Sequence, residues 1–145
     1  MFLIRTSLRP SAIHGIGVFT DEPIQKGQLV WEFDERIDLR IPLDEMKNFP
    51  PAMQEFLFHL SYVELVDGRK MMTLCADNAK YVNHADLPNL LDSEDNLREI
   101  AARDIAAGEE LTCNYHVSDL LSVDKIGSPM AVVESIDRLA DLERE

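Results

Sequence analysis

No stretch of this 145-residue chain approaches the ~20 consecutive apolar residues that a membrane-spanning helix needs. Its opening, Met1-Phe2-Leu3-Ile4-Arg5-Thr6, turns polar too soon for a secretory leader. A cytoplasmic location is expected, or a nuclear one if the source is eukaryotic, with no membrane partner. Cysteine is scarce. Cys75 and Cys113 stand alone, neither in a C-x-x-C pair, so thiolates by themselves cannot build a zinc cluster. A disulfide between them stays open, but without an export signal two reduced thiols are expected. The four histidines, His14, His59, His84 and His116, form no i, i+4 pair, and no metal site is expected. Positive charge is short as well: 14 Lys+Arg against 27 Asp+Glu leave a net charge of −13 at pH 7. Such a field repels nucleic acid and attracts a basic protein or peptide, although it serves solubility equally well.

What remains is an ordinary folding composition, 46% hydrophobic and 28% charged, at the length of one domain. Residues 1–35 read as strands and turns, with Ile16-Gly17-Val18-Phe19 before the turn Asp21-Glu22-Pro23. Lys26-Gly27 then precedes the strand-like Gln28-Leu29-Val30-Trp31-Glu32-Phe33. Pro50-Pro51 can open a helix, on which Met53, Phe56, Leu57 and Leu60 fall at i, i+3, i+4 and i+7, one apolar face. Val66-Asp67-Gly68-Arg69 carries the Asp-Gly signal of a hairpin. Ile105-Ala106-Ala107-Gly108 echoes Ile24-Gln25-Lys26-Gly27; two short copies do not make a repeat architecture but predict one turn used twice. A tail begins near Ser118. Ser128-Pro129 suits a helix start, with Val132, Ile136 and Leu139 on one face.

Three segments carry chemistry. His14-Gly15-Ile16-Gly17-Val18-Phe19 spaces two glycines closely enough for backbone to approach a ligand. In isolation it reads first as a plain turn, being shorter than the dinucleotide fingerprint and followed by no helix. The run from Asp77 to Asn89 holds Asn83-His84, an amide beside an imidazole, which suits a small polar ligand. Its bland alternative is a polar loop that caps nearby backbone, closed by the Pro88-Asn89 turn. The third, Gly108-Glu109-Glu110-Leu111-Thr112-Cys113-Asn114-Tyr115, ends a strand on a tyrosine, a residue that usually packs with its hydroxyl outward.

In this order the segments resemble the SET-domain family of protein lysine methyltransferases, over about Ser11 to Tyr115. Family members carry Gly-x-Gly and then Lys-Gly, here Gly15-Ile16-Gly17 and Lys26-Gly27. Their Arg-Phe-x-Asn-His-Ser-Cys-x-Pro-Asn stretch corresponds to Lys80 through Asn89, and their closing Gly-Glu-Glu-Leu-Thr-x-x-Tyr to Gly108 through Tyr115. Lys80, Tyr81 and Ala85-Asp86 depart from the pattern. The cysteine cluster that many members carry after the tyrosine is missing.

The resemblance implies a mainly β (α+β) SET-domain β-clip fold. It has several small sheets, a knot-like crossing at the Asn-His segment, a short insert helix and here a C-terminal helix. The SET domain would span residues 1–118, its insert about 36–70, and a helical extension 119–145. It implies S-adenosylmethionine as cofactor, leaving as S-adenosylhomocysteine, with no metal. The cofactor site would be His14, Gly15, Ile16, Gly17, Asn83, His84 and Tyr115. Tyr115 would be catalytic, and Tyr62, Cys113 and Phe56 would line the substrate channel. Cys113, standing where the family often has Phe or Tyr, implies room for a methylated lysine and hence a di- or trimethyl product. The substrate would be a basic protein: a histone, a histone-like protein or a ribosomal protein. The C-terminal helix could close the channel or pair two subunits as a homodimer. The rival readings are a SET-like binding module without activity and an antifreeze-like clip domain, whose turn resembles Arg103 through Thr112.

Overall fold

A computed structural model describes residues 1–126; the expected helix from Ser128, with its homodimer and channel-closing roles, lies outside the described residues. The chain opens with four short strands, β1 (Thr6–Pro10), β2 (Ile16–Thr20), β3 (Leu29–Glu32) and β4 (Leu39–Pro42). A 3-10 turn at Leu43–Asn48 leads to α1 (Pro51–Leu60), then β5 (Tyr62–Val66) and β6 (Arg69–Leu74). After a second 3-10 turn, Asn78–Tyr81, come β7 (Asn83–His84), β8 (Leu90–Asp92), β9 (Arg98–Ala101) and β10 (Glu110–Cys113). The short α2 (Tyr115–Ser118) and α3 (Ser122–Ile126) follow. The strands form three small sheets, β1-β2-β10-β7, β3-β9-β8 and β4-β6-β5, the mainly β architecture expected. No described helix is long and apolar enough to cross a membrane.

The chain divides into two compact units. The first comprises Met1–Leu39 and Cys75–Ser118. Its core is the buried set Val18, Ile24, Val30, Leu90, Ile105 and Leu111. The echoed turn explains part of that core. Gly27 and Gly108 both take positive φ, +81° and +89°, the third position of a turn that a side chain would strain. The turns close alike, with Gln28 N donating to Gln25 O at 3.0 Å and Glu109 N to Ala106 O at 3.1 Å. The two copies also pair with each other: Ile24 and Ile105 exchange both backbone bonds at 2.8 Å and bury both side chains. The repetition is therefore a symmetric bridge.

The same unit holds an acidic pair that the sequence pattern did not disclose. Asp92 and Glu99 face each other across β8 and β9 and hydrogen-bond through their carboxyls. Burial first, then the Asp92 charge, pushes Glu99 up to about 8. Burial also raises Asp92. Glu99 therefore keeps its proton and donates it to Asp92. Cys75 and Cys113 are both buried and form no disulfide.

The second unit comprises Arg40–Leu74 and the segment from Asp119. Proline at the first helical position opens α1, as expected. Its buried face differs from the predicted one. Leu57 and Phe58 are buried while Met53 and Phe56 lie exposed. The inward stripe is Gln54, Leu57, Phe58 and Ser61. Its polar ends bond to backbone: Gln54 Nε2 donates to Phe49 O at 2.8 Å, and Ser61 Oγ donates to Leu57 O. A hydrophobicity template skips such ends and selects the wrong face. The Asp67-Gly68 hairpin forms as expected, with φ of +51° and +78°, the turn that matches strand twist. Buried charges are paired: Glu64 accepts from Arg40 Nη2 at 3.0 Å and from Thr73 Oγ1 at 2.6 Å. Asp119, bonded to Lys125, also accepts from Val63 N at 3.0 Å.

Candidate active site

The glycine segment forms a compact turn between β1 and β2. Ser11 N donates to Gly15 O at 2.8 Å, and Ser11 Oγ accepts from the amides of Ile13 at 2.9 Å and His14 at 3.3 Å. His14, Gly15 and Ile16 are exposed. The two glycines do different work. Gly15 takes φ +48°, and a Cβ there would meet nothing within 4 Å, so its backbone is open to a ligand. Gly17 is buried, and a Cβ there would stand 2.1 Å from Glu110 Oε1.

Sheet order then gathers the other two segments. β10 pairs antiparallel with β2, Leu111 opposite Val18, and parallel with β7, Thr112 opposite Asn83 and Cys113 opposite His84. Three segments far apart in sequence thus become neighbouring strands. Asn83, 7% exposed, reaches back to the turn. Its Nδ2 donates to His14 O at 3.0 Å, Ile16 O at 3.2 Å and Glu110 Oε1 at 2.9 Å. Asn89, read from sequence only as a turn residue, braces β10. It is buried, donates to Glu110 O at 2.8 Å and accepts from Thr112 N at 2.8 Å.

His84 connects to the tyrosine. Tyr115 N donates to His84 Nδ1 at 3.1 Å, which assigns the proton to Nε2, and Nε2 lies 3.0 Å from Asp86 Oδ1. The rings of His84 and Tyr115 are 5.4 Å apart. Tyr115 is half-buried, and its hydroxyl donates to Val82 O. The fold also brings in His116, whose ring lies 5.2 Å from that of His84. Ligand atoms of His84, Asp86 and His116 lie within 4.8 Å of one another, a cluster that spacing along the chain did not foresee. Yet Nδ1 of His84 already accepts a hydrogen bond from Tyr115 N and Nε2 carries the proton, so this ring offers a cation no lone pair while those bonds stand.

The expected channel residues divide between the units. Cys113 is 7% exposed in the first unit's core, where Tyr81 and Tyr115 pack against its cluster. Tyr62, half-buried, and Phe56, 40% exposed, belong to the second unit.

A family model described as SET domain matches residues 15–116. The chain is 31% identical over 126 residues, 81% of its length, to a Schizosaccharomyces pombe protein named "Histone-lysine N-methyltransferase, H3 lysine-4 specific". It spans 13% of that relative and 2% of a Plasmodium falciparum relative to which it is 29% identical. Among solved structures it is similar to Chaetomium thermophilum Polycomb Repressive Complex 2 bound to GSK126, with TM-score 0.63 and 24% identity. That likeness covers 85% of this chain and 17% of the other. It is also similar to that complex in an autoinhibited conformation bound to S-adenosylmethionine, with TM-score 0.59 and 23% identity, covering 94% of this chain and 17% of the other. These two likenesses bear on fold alone.

Proposed function

The chain belongs to the SET-domain family, and from that premise we propose that it is a protein-lysine N-methyltransferase that uses S-adenosylmethionine and acts on a basic protein of the histone type. One observation carries the reading. Side-chain bonds tie the three signature segments together, Asn83 to the His14–Ile16 turn and His84 to Tyr115. The relatives' names, which describe histone-lysine methyltransferases, support the substrate class.

The residues fit the cofactor. The methionine part of S-adenosylmethionine carries an ammonium, which needs acceptors. The carbonyls of His14 and Ile16 both accept from Asn83 Nδ2, each oxygen keeps a second lone pair for an ammonium, and a side chain at Gly15 between them would meet nothing within 4 Å. His14, Gly15, Ile16, Gly17, Asn83, His84 and Tyr115 would hold it. When bound, the cofactor supplies an activated methyl group on a sulfonium.

The chain's own part is to bind, orient and exclude water. A free lysine has a pKa of about 10.4, and methylation needs its neutral amine. A tight apolar surround lowers that value, so the proton leaves to water. Tyr115 has committed its hydroxyl hydrogen to Val82 O. Toward an amine it can therefore act as acceptor and not as acid, aligning the amine's N–H. Holding reactants in line can supply ~7–11 kcal/mol of the barrier, and no acid–base triad is required. The net charge of −13 favours a Lys/Arg-rich substrate.

Calorimetric titration with S-adenosylmethionine tests the reading. Saturable one-site binding, weakened by Asn83→Ala in a folded protein, supports it. No binding by the native chain refutes it. Binding with no methyl transfer to any basic protein would leave a binding module instead.

A further inference from the structure

One side chain at the site has no role in the function as proposed so far. Glu110 sits on β10, half-buried, and its carboxylate is engaged from two sides. Ser11 Oγ donates to it, 2.8 Å from Oε1 and 2.9 Å from Oε2. Asn83 Nδ2 donates at 2.9 Å. Ser11 Oγ in turn accepts the amides of Ile13 and His14, so one chain of bonds runs from β10 through Ser11 into the glycine turn.

Two further facts give this chain a purpose. The amide nitrogen of Asn83 meets three acceptors, two turn carbonyls and the Glu110 side chain, the last at 2.9 Å. Glu110 thus ties to β10 the same amide nitrogen that the two turn carbonyls hold. The seat of the carboxylate is the gap left by Gly17: a Cβ there would lie 2.1 Å from Oε1, 2.7 Å from Cδ and 3.1 Å from Ser11 Cβ. The second glycine of the signature thus admits a carboxylate, and the first exposes backbone.

We propose that Glu110 is a positioning residue of the cofactor site: seated against Gly17, it holds the Asn83 amide and the turn from Ser11 to Gly17 in the geometry that receives S-adenosylmethionine. The proposal rests on the methyltransferase reading above. Glu110 acts through hydrogen bonds, so glutamine, with the same shape and an acceptor oxygen, keeps the function.

The test combines two readouts on the full chain. One is calorimetric affinity for S-adenosylmethionine. The other is amide hydrogen exchange at Ile13 and His14 by NMR in cofactor-free protein. Glu110→Ala should weaken affinity at least about tenfold, the scale of a lost charged hydrogen bond, and speed exchange at both amides. Turnover at saturating cofactor should stay within about threefold, because the loss lies in binding. Glu110→Gln should stay near native in both readouts. Gly17→Ala should copy Glu110→Ala by evicting the carboxylate, and the double variant should be no worse than either single one. Ser11→Ala, which removes a hydroxyl at the turn, serves if Glu110→Ala does not fold. Three results overturn the proposal: native affinity and exchange in Glu110→Ala, a Glu110→Gln as impaired as Glu110→Ala, or additive losses in the double variant. A native chain that fails to bind S-adenosylmethionine refutes the methyltransferase reading and the cofactor role with it. Native binding with an unaffected Glu110→Ala refutes the positioning role alone.

Discussion

Tyr115 is held at both ends, its amide by His84 Nδ1 and its hydroxyl by Val82 O. A ring held this way can align an amine without reorganising as the reaction proceeds. Tyr115→Phe keeps the amide bond and loses the hydroxyl. We predict a fall in kcat of at least ~10-fold with cofactor affinity within about twofold, since the lost contact matters mainly in the transition state. Near-native turnover would show that Tyr115 only packs. At this scale the sequence was informative about identity and poor about partnership. Residue types and order marked Gly15, Asn83, His84 and Tyr115. The bonds of Glu110 and Asn89 depend on which strands lie side by side, and no local pattern encodes that. His84 and His116 were dismissed as a pair by their distance along the chain, yet β7 and the start of α2 bring the rings to 5.2 Å.

Elements followed local rules where the deciding signal was local. The Asp-Gly hairpin, the proline start of α1 and the twice-used turn are each set by backbone conformations that few residues tolerate. The face of α1 was misread because its inward stripe ends in Gln54 and Ser61, polar residues satisfied by backbone. The Asp92–Glu99 pair was missed because two acidic residues seven apart look like surface until β8 and β9 bury them. That pair makes a pH prediction. Glu99 has its proton affinity raised, to about 8, so between roughly pH 4.3, the ordinary value for Glu, and pH 8 the folded state binds more protons than the unfolded chain. Stability then falls as pH rises through this window. Glu99→Gln keeps a donor for Asp92 and removes the titration. Urea midpoints at pH 5.5 and 8.5 should fall for the native chain and change less for Glu99→Gln. Equal slopes would mean that Glu99 ionises normally.

For the whole molecule, the dominant property is a net charge of −13. If this field gathers a basic substrate, the advantage is one of encounter and is screened by salt. Methylation of a Lys/Arg-rich protein at low substrate should therefore drop as NaCl rises from 50 to about 300 mM, a range over which the Debye length shortens to well under 10 Å. Rate at saturating substrate should change less. A salt-independent kcat/KM would leave the acidity as a solubility feature. The central claim is methyl transfer to lysine, and the direct measurement is incubation of the native chain with isotopically labelled S-adenosylmethionine and purified histones, read by mass spectrometry. The account predicts labelled methyl on a lysine ε-amine, absent without the chain and strongly reduced with Tyr115→Phe. Cofactor bound but no lysine labelled on histones or any other basic protein would contradict it.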